Sequence, residues 1–234
     1  MGGFRWKTIL FYGILTLLTL IAIILIITVN SQTKFASDEV RIPVDVILDA
    51  GHGGMDGGAV SIDGICEAPI TLLIAKKAQD LMGFCGRHGL MTRSGDISLN
   101  YNPDAGARAN KNADLNARLE IARQYSDCPF FSIHLNKFSQ TQYAGAQVFY
   151  GKNGLTLAQA LQGQLRAALD PANDRVCKPA PEGVFLMKNI SAPAVTIECG
   201  FLSNPEECAK LQQDGYQTRI ALAIVSGYEI YNRG

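Results

Sequence analysis

The chain has no excess of either charge: across 234 residues, 21 lysines and arginines stand against 21 aspartates and glutamates. A surface without a field of one sign has nothing to gather a phosphate backbone, which argues against a nucleic-acid partner. There is no CxxC pair, so the usual structural zinc ribbon is set aside. The six cysteines, Cys66, Cys85, Cys128, Cys177, Cys199 and Cys208, are irregularly spaced in a domain too large to need covalent staples, and no disulfide framework is expected. Internal repeats and low-complexity blocks are also missing. What remains has the length of one ordinary domain plus an appendage.

The appendage is N-terminal. Arg5 and Lys7 precede Ile9 to Val29, an uncharged run rich in Leu, Ile and Thr. At roughly 1.5 Å per residue it reaches across a hydrocarbon layer about 30 Å thick, further than a buried soluble helix needs to go. It exceeds a signal-peptide core, and no small-x-small cleavage site follows Val29, so an uncleaved anchor is favoured over a signal segment. With the basic residues before the span, the rest of the chain is expected outside the cytoplasm. Residues 1–34 are thus read as anchor and tether, with unpatterned polar residues from Ser31 to Pro43, and 35–234 as the catalytic domain.

In that domain, short apolar runs alternate with helical periodicity. Strands are expected at Val44–Leu48, Leu90–Thr92, Phe130–His134, Ala146–Tyr150 and Ala194–Cys199, with a further apolar run at Val184–Met187. Helices are expected from Pro69 to Gly86, from an Asp114 cap to Tyr125, along Leu157, Leu161, Leu165 and Leu169, after Asn204-Pro205-Glu206-Glu207, and from Gln217 to Tyr231. Residues 94–112 read as a long surface loop shaping access to the site. The pattern predicts an α/β fold: one domain with a twisted, largely parallel or mixed sheet of about six strands, helices on both faces, and a transmembrane helix before it.

Two of the three histidines fall at or just beyond strand C-termini, where sheet-based sites are built. His52 lies in Asp49-Ala50-Gly51-His52-Gly53-Gly54, and His134 in Ser132-Ile133-His134-Leu135-Asn136. The third, His88, is accounted for by a helix C-terminus. Glu67 stands at the start of a helix after the glycine loop, and Glu198 interrupts an apolar strand in which an unpaired carboxylate would be costly. Two imidazoles and a carboxylate leave the fourth position of a zinc ion open, as catalysis requires, and a further carboxylate then serves to move protons.

These segments, together with Thr92-Arg93, Leu115 to Arg118 and Glu198 to Asn204, resemble in content and order the zinc N-acetylmuramoyl-L-alanine amidases of the amidase-3 family, and most of all its sporulation- and germination-specific branch. The similarity runs over about residues 44–231. It implies His52, Glu67 and His134 as ligands of one zinc ion, Glu198 as the catalytic residue, and supporting roles for Asn136 and Arg93. It further implies peptidoglycan as substrate, cortex maturation through muramic δ-lactam as the setting, and an accessory cell-wall or spore protein as a partner. Ala68-Pro69 replaces the Lys-Asp pair common in the family.

Two other readings compete. A dinucleotide turn at Gly51-x-Gly53-x-x-x-Gly57 fails because Gly58-Ala59-Val60-Ser61 does not open a helix. A catalytically idle peptidoglycan-binding scaffold of the same fold is separable only by turnover.

Overall fold

The computed structural model describes residues 3–35 and 43–234, which divide into two compact units, one up to Pro43 and one from Val44 to Gly234. The first contains α1 (Gly3–Phe35), in which Ile9–Ile26 has a mean hydropathy of 2.8 and no buried side chain, enough in length and composition to cross a membrane. The helix continues past Val29 into the segment expected to be tether, because no glycine or proline lies between Gly13 and Pro43 to stop its propagation. The remainder of that tether, 36–42, lies outside the described residues.

The second unit is a six-stranded sheet with helices on both faces. Its elements are β1 (Val46–Ala50), α2 (Glu67–Phe84), β2 (Gly89–Met91), α3 (Ala107–Gln124), β3 (Phe130–Asn136), β4 (Gln147–Tyr150), α4 (Leu155–Leu169), β5 (Lys178–Pro179), α5 (Phe185–Asn189), β6 (Ala194–Phe201), α6 (Pro205–Leu211) and α7 (Asp214–Tyr231). The strand order is β2-β1-β3-β6-β4-β5, with every pair parallel except β4 against β6.

Alternation along the central strands explains both the core and the site. One face carries Leu48, Ala50, Phe131, Ile133, Val195 and Ile197, packed against α2, α4 and α7. The opposite face starts as apolar with Ile47, Phe130 and Ala194, covered by α3 and α5. Further along the same strands that face turns polar, because its period-two positions are then Asp49, Ser132, Thr196, His134 and Glu198. The sheet therefore presents chemistry on one side of its C-terminal end.

Three expectations are corrected. Within 94–112 the chain is already helical from Ala107, and Asp114 lies inside α3 rather than capping it. The early turns of α3 are polar, and the apolar residues that pack inward, Leu115, Leu119, Ile121 and Ala122, all lie in its second half, so the first half shows no apolar period. Asn110 ties those turns to the preceding loop, accepting from the Asn102 N–H and donating to the Asn102 and Ala105 carbonyls. The Val184–Met187 run enters the short helix α5, and the sixth strand is instead β5, a polar exposed pair at the sheet edge that carries no apolar signal. Glu207, in the first turn of α6, accepts the N–H groups of Gly145 and Phe201, joining β6 to the segment entering β4. Asn204 caps the helix, its side chain accepting the Glu207 N–H at 3.0 Å. All six cysteines are free thiols.

Candidate active site

The glycine loop after β1 returns sharply on itself. His52 adopts φ 60° and Gly58 φ 73°, a left-handed region that strains a non-glycine residue. At Gly58 a Cβ would sit 2.7 Å from Glu67 Oε2 and 2.6 Å from His52 Cδ2, so only glycine lets the loop pass beneath both side chains. Gly51 likewise yields its space to the His134 ring.

These turns bring the donors together. Glu67, the first residue of α2, donates its own N–H to the Ala59 carbonyl, and its carboxylate projects between the two imidazoles. Oε2 lies 3.2 Å from His52 Nε2, and Oε1 lies 2.9 Å from His134 Nδ1. The rings meet edge to face with centroids 4.9 Å apart. One donor atom from each of His52, Glu67 and His134 falls within 4.8 Å of the others, the spacing of a shared cation.

The Glu67 carboxylate also accepts the Ala59 N–H at 2.8 Å and the Leu135 N–H at 2.9 Å, which fixes its plane. Burial alone would raise its pKa, but the two imidazoles outweigh that and hold it well below the ordinary carboxylate range. His52 is raised above the ordinary imidazole value: burial opposes its charge, and hydrogen bonds to Glu67 and Asp56 outweigh burial.

Glu198 is the cross-strand partner of His134, which places the two side chains next to each other on one face. Burial pushes its carboxyl up to about 7. Its Oε2 is buried without a hydrogen-bond partner among the described residues. Such an atom is costly unless something outside the chain meets it.

The residues fit a zinc ion by three tests: an N, N, O donor set, convergence on one point, and an unsatisfied carboxylate oxygen beside that point. Arg93 and Asn136 lie outside the donor group. Arg93, 2% exposed, donates to the carbonyls of Ala50, Gly51, Ala68 and Gly95, bracing the glycine loop against the start of α2. Asn136 closes β3, its carbonyl accepting the Leu202 N–H and its Oδ1 the Lys137 N–H.

Three further residues were given no role from sequence. Asp56 holds His52 Nδ1 at 3.0 Å, a contact that depends on the left-handed turn between them. Asp49, 1% exposed, takes hydrogen bonds from Ser132, Thr92 and Arg118. Arg118 also donates to the carbonyls of Ala50 and His52 and pairs with Asp114 at 2.7 Å. A charge inside the apolar run Val46–Ala50 was the available signal.

Two clefts border residues that adjoin the donor group. One of about 380 Å³ lies over α3 beside Asp56, Tyr101 and Lys111. The other, about 550 Å³, lies at the start of β4 beside Gln147, Tyr143 and Arg175, and Gln147 is the strand partner of Glu198.

Residues 46–229 match the amidase-3 family model, described as N-acetylmuramoyl-L-alanine amidase. The chain is 35% identical over 185 residues to the germination-specific N-acetylmuramoyl-L-alanine amidase of Bacillus subtilis, covering 78% of this chain and 77% of that protein. It is 26% identical over 231 residues to the N-acetylmuramoyl-L-alanine amidase AmiA of Escherichia coli, covering 80% and 75%. Among solved structures, the CwlD amidase from Clostridioides difficile in complex with the GerS lipoprotein is similar at 39% identity and a TM-score of 0.77, over 80% of this chain and 98% of that one. AmiC2 of Nostoc punctiforme is similar at 25% identity and a TM-score of 0.69, over 82% and 98%.

Proposed function

Because the chain belongs to the amidase-3 family and is an N-acetylmuramoyl-L-alanine amidase, we propose that it cuts the amide between the lactyl group of N-acetylmuramic acid and L-alanine with one zinc ion held by His52, Glu67 and His134, Glu198 moving the protons. The observation that carries this is the buried, unpartnered Glu198 Oε2 beside three convergent donors. When bound, zinc would supply Lewis acidity, polarising the amide carbonyl and making water acidic enough to attack near neutrality.

The chain does the rest. Glu198 Oε2 accepts a proton from the attacking water and returns it to the departing alanine nitrogen, two opposite tasks served by a carboxyl that titrates at about 7. Glu67 cannot take that part, since its oxygens are committed to two backbone N–H groups and two imidazoles.

The germination-specific relative supports a role in spore cortex, toward muramic δ-lactam. The apolar helix supports residues 1–34 as a membrane anchor with 35–234 as an extracytoplasmic catalytic domain. The lipoprotein bound to the CwlD amidase supports an accessory spore or cell-wall protein as partner here.

Turnover of purified muropeptide with added zinc tests the assignment. Glu198→Gln should keep the metal and lose turnover by about 100-fold or more. Equal activity would remove Glu198 from the mechanism, and no turnover by the wild type would favour the idle scaffold.

A further inference from the structure

The polar face of the sheet does not end at Glu198. By alternation Phe201 would fall on the opposite face, but the register shifts between the pairs His134 with Glu198 and Asn136 with Phe201. The extra residue on β6 is a bulge, and it turns Phe201 onto the face of Glu198. There Phe201, fully buried, meets the partly exposed rings of Phe138 and Tyr143, with centroids 5.2 and 6.4 Å away. The strand order sets β6, with Glu198, between β3, with His134, and β4, whose Gln147 is the cross-strand partner of Glu198.

Gln147 is 4% exposed, and both ends of its amide are engaged. Nε2 donates to the Val176 carbonyl at 2.9 Å, and Oε1 accepts from Arg175 Nη1 at 3.1 Å. Arg175 Nε donates to the Ala144 carbonyl at 2.7 Å, and the guanidinium lies over the Phe201 ring, 4.8 Å from its centroid. A planar fork held in this way has little rotamer freedom left to lose when it meets a ligand. Its Nη2 donates to nothing among the described residues, and no carboxylate there pairs with it. Glu207 is near enough to feel its charge, but the Glu207 oxygens are spent on the N–H groups of Gly145 and Phe201. Asp170 turns its carboxylate to the Ala172 N–H. Arg175 lines the cleft of about 550 Å³ together with Tyr143, Gln147, Asp170, Asp174 and Lys178.

A fixed guanidinium with unused donors recognises a carboxylate at two points. In the proposed reaction Glu198 returns a proton to the alanine nitrogen, which must come within hydrogen-bond reach of Oε2. The peptide that begins at that nitrogen then has β4 beside it, and a peptide keeps at least its terminal carboxylate. We propose that Arg175, oriented by Gln147 and Phe201, is a specificity-determining residue that receives a free carboxylate of the departing peptide. The inference rests on the reading of Glu198 as the proton carrier, and it adds which part of the substrate is recognised beyond the scissile bond.

Two substrates test it: N-acetylmuramoyl-L-alanyl-D-glutamate with its carboxylates free, and the same compound with both amidated. The zinc-loaded wild type should favour the free form by about 10- to 100-fold in kcat/KM, the scale of a hydrogen-bonded charge pair. In Arg175→Gln that ratio should fall to near one. In Arg175→Lys it should lie between, because lysine keeps the charge without the fork. Both substrates are read on one preparation, so loss of folded enzyme does not move the ratio. Binding is read separately, by titrating the wild type with L-alanyl-D-glutamate and with its diamide while following the Arg175 Nε–H resonance, which should shift with the free peptide alone. A wild-type ratio near one, a preference kept in Arg175→Gln, or a resonance that does not move overturns the inference. A wild type that binds the free peptide through Arg175 and cuts neither muropeptide would uphold the subsite and strike at the catalytic assignment instead.

Discussion

Asp49 is a charged side chain, 1% exposed, in the middle of a sheet, and its environment sets how the protein responds to acid. Burial would raise its pKa, but Arg118 beside it and the hydroxyls of Ser132 and Thr92 outweigh burial and lower it. A carboxylate depressed in the folded state adds stability above its unfolded pKa of about 3.9, and that stability drains away as pH falls through the lower native value. Asp49→Asn should therefore cost about 3–5 kcal/mol near pH 7, the scale of breaking a buried ion pair, and the gap from wild type should close below about pH 4. Urea unfolding across pH measures it, and a gap that holds constant into acid would mean that Asp49 is not ionised in the folded state. At this scale the sequence was partly readable. His52, Glu67, His134 and Glu198 could be picked out because each is a polar residue at a strand end, at a helix start or inside an apolar run. Asp56 and the Ser132–Asp49 hydrogen bond could not, because these contacts arise from a left-handed turn and a strand register that no local pattern encodes.

Among the elements, agreement between sequence and fold follows the strength of the apolar period. Leu157, Leu161 and Leu165 mark α4 because all three are buried against α7. The first half of α3 escapes because it packs nothing apolar inward, and β5 because two exposed residues have no pattern to show. The contact between α4 and α7 also leaves no room for a side chain at Gly227. A Cβ at Gly227 would stand 2.9 Å from the Leu161 Cα, a backbone atom that cannot swing away. Gly227→Ala should therefore destabilise the domain by about 1–3 kcal/mol despite the better helix propensity of alanine. Thermal unfolding would decide it, and a rise in Tm would show that the helices can separate at no cost. Because this contact lies on the sheet face opposite the donor group, zinc affinity of the folded variant should stay at the wild-type value.

For the whole molecule, the chain divides into two compact units, to which the proposed function gives separable tasks. The apolar helix has no buried side chain in Ile9–Ile26, and the core is complete from Val46 onward. A chain beginning at residue 35 should accordingly move from the membrane fraction to the soluble fraction and turn over muropeptide at the rate of the full chain. Loss of turnover would mean that the anchor contributes to folding or to the site. The plan of one sheet with helices on both faces was legible from alternating strand and helix patterns, since each pattern states which face must be covered. The polar half of one sheet face became legible only once the strands were in register, when Asp49, Ser132, Thr196, His134 and Glu198 were seen to share it.

The account stands on three side chains, from the loop after β1, the start of α2 and β3, converging on one ion. Zinc content of the purified full-length protein, measured after dialysis against metal-free buffer, should approach one ion per chain, fall to near zero in His52→Ala and His134→Ala, and remain near one in Glu198→Gln. A wild type without zinc, or histidine variants that retain it in full, would contradict the account.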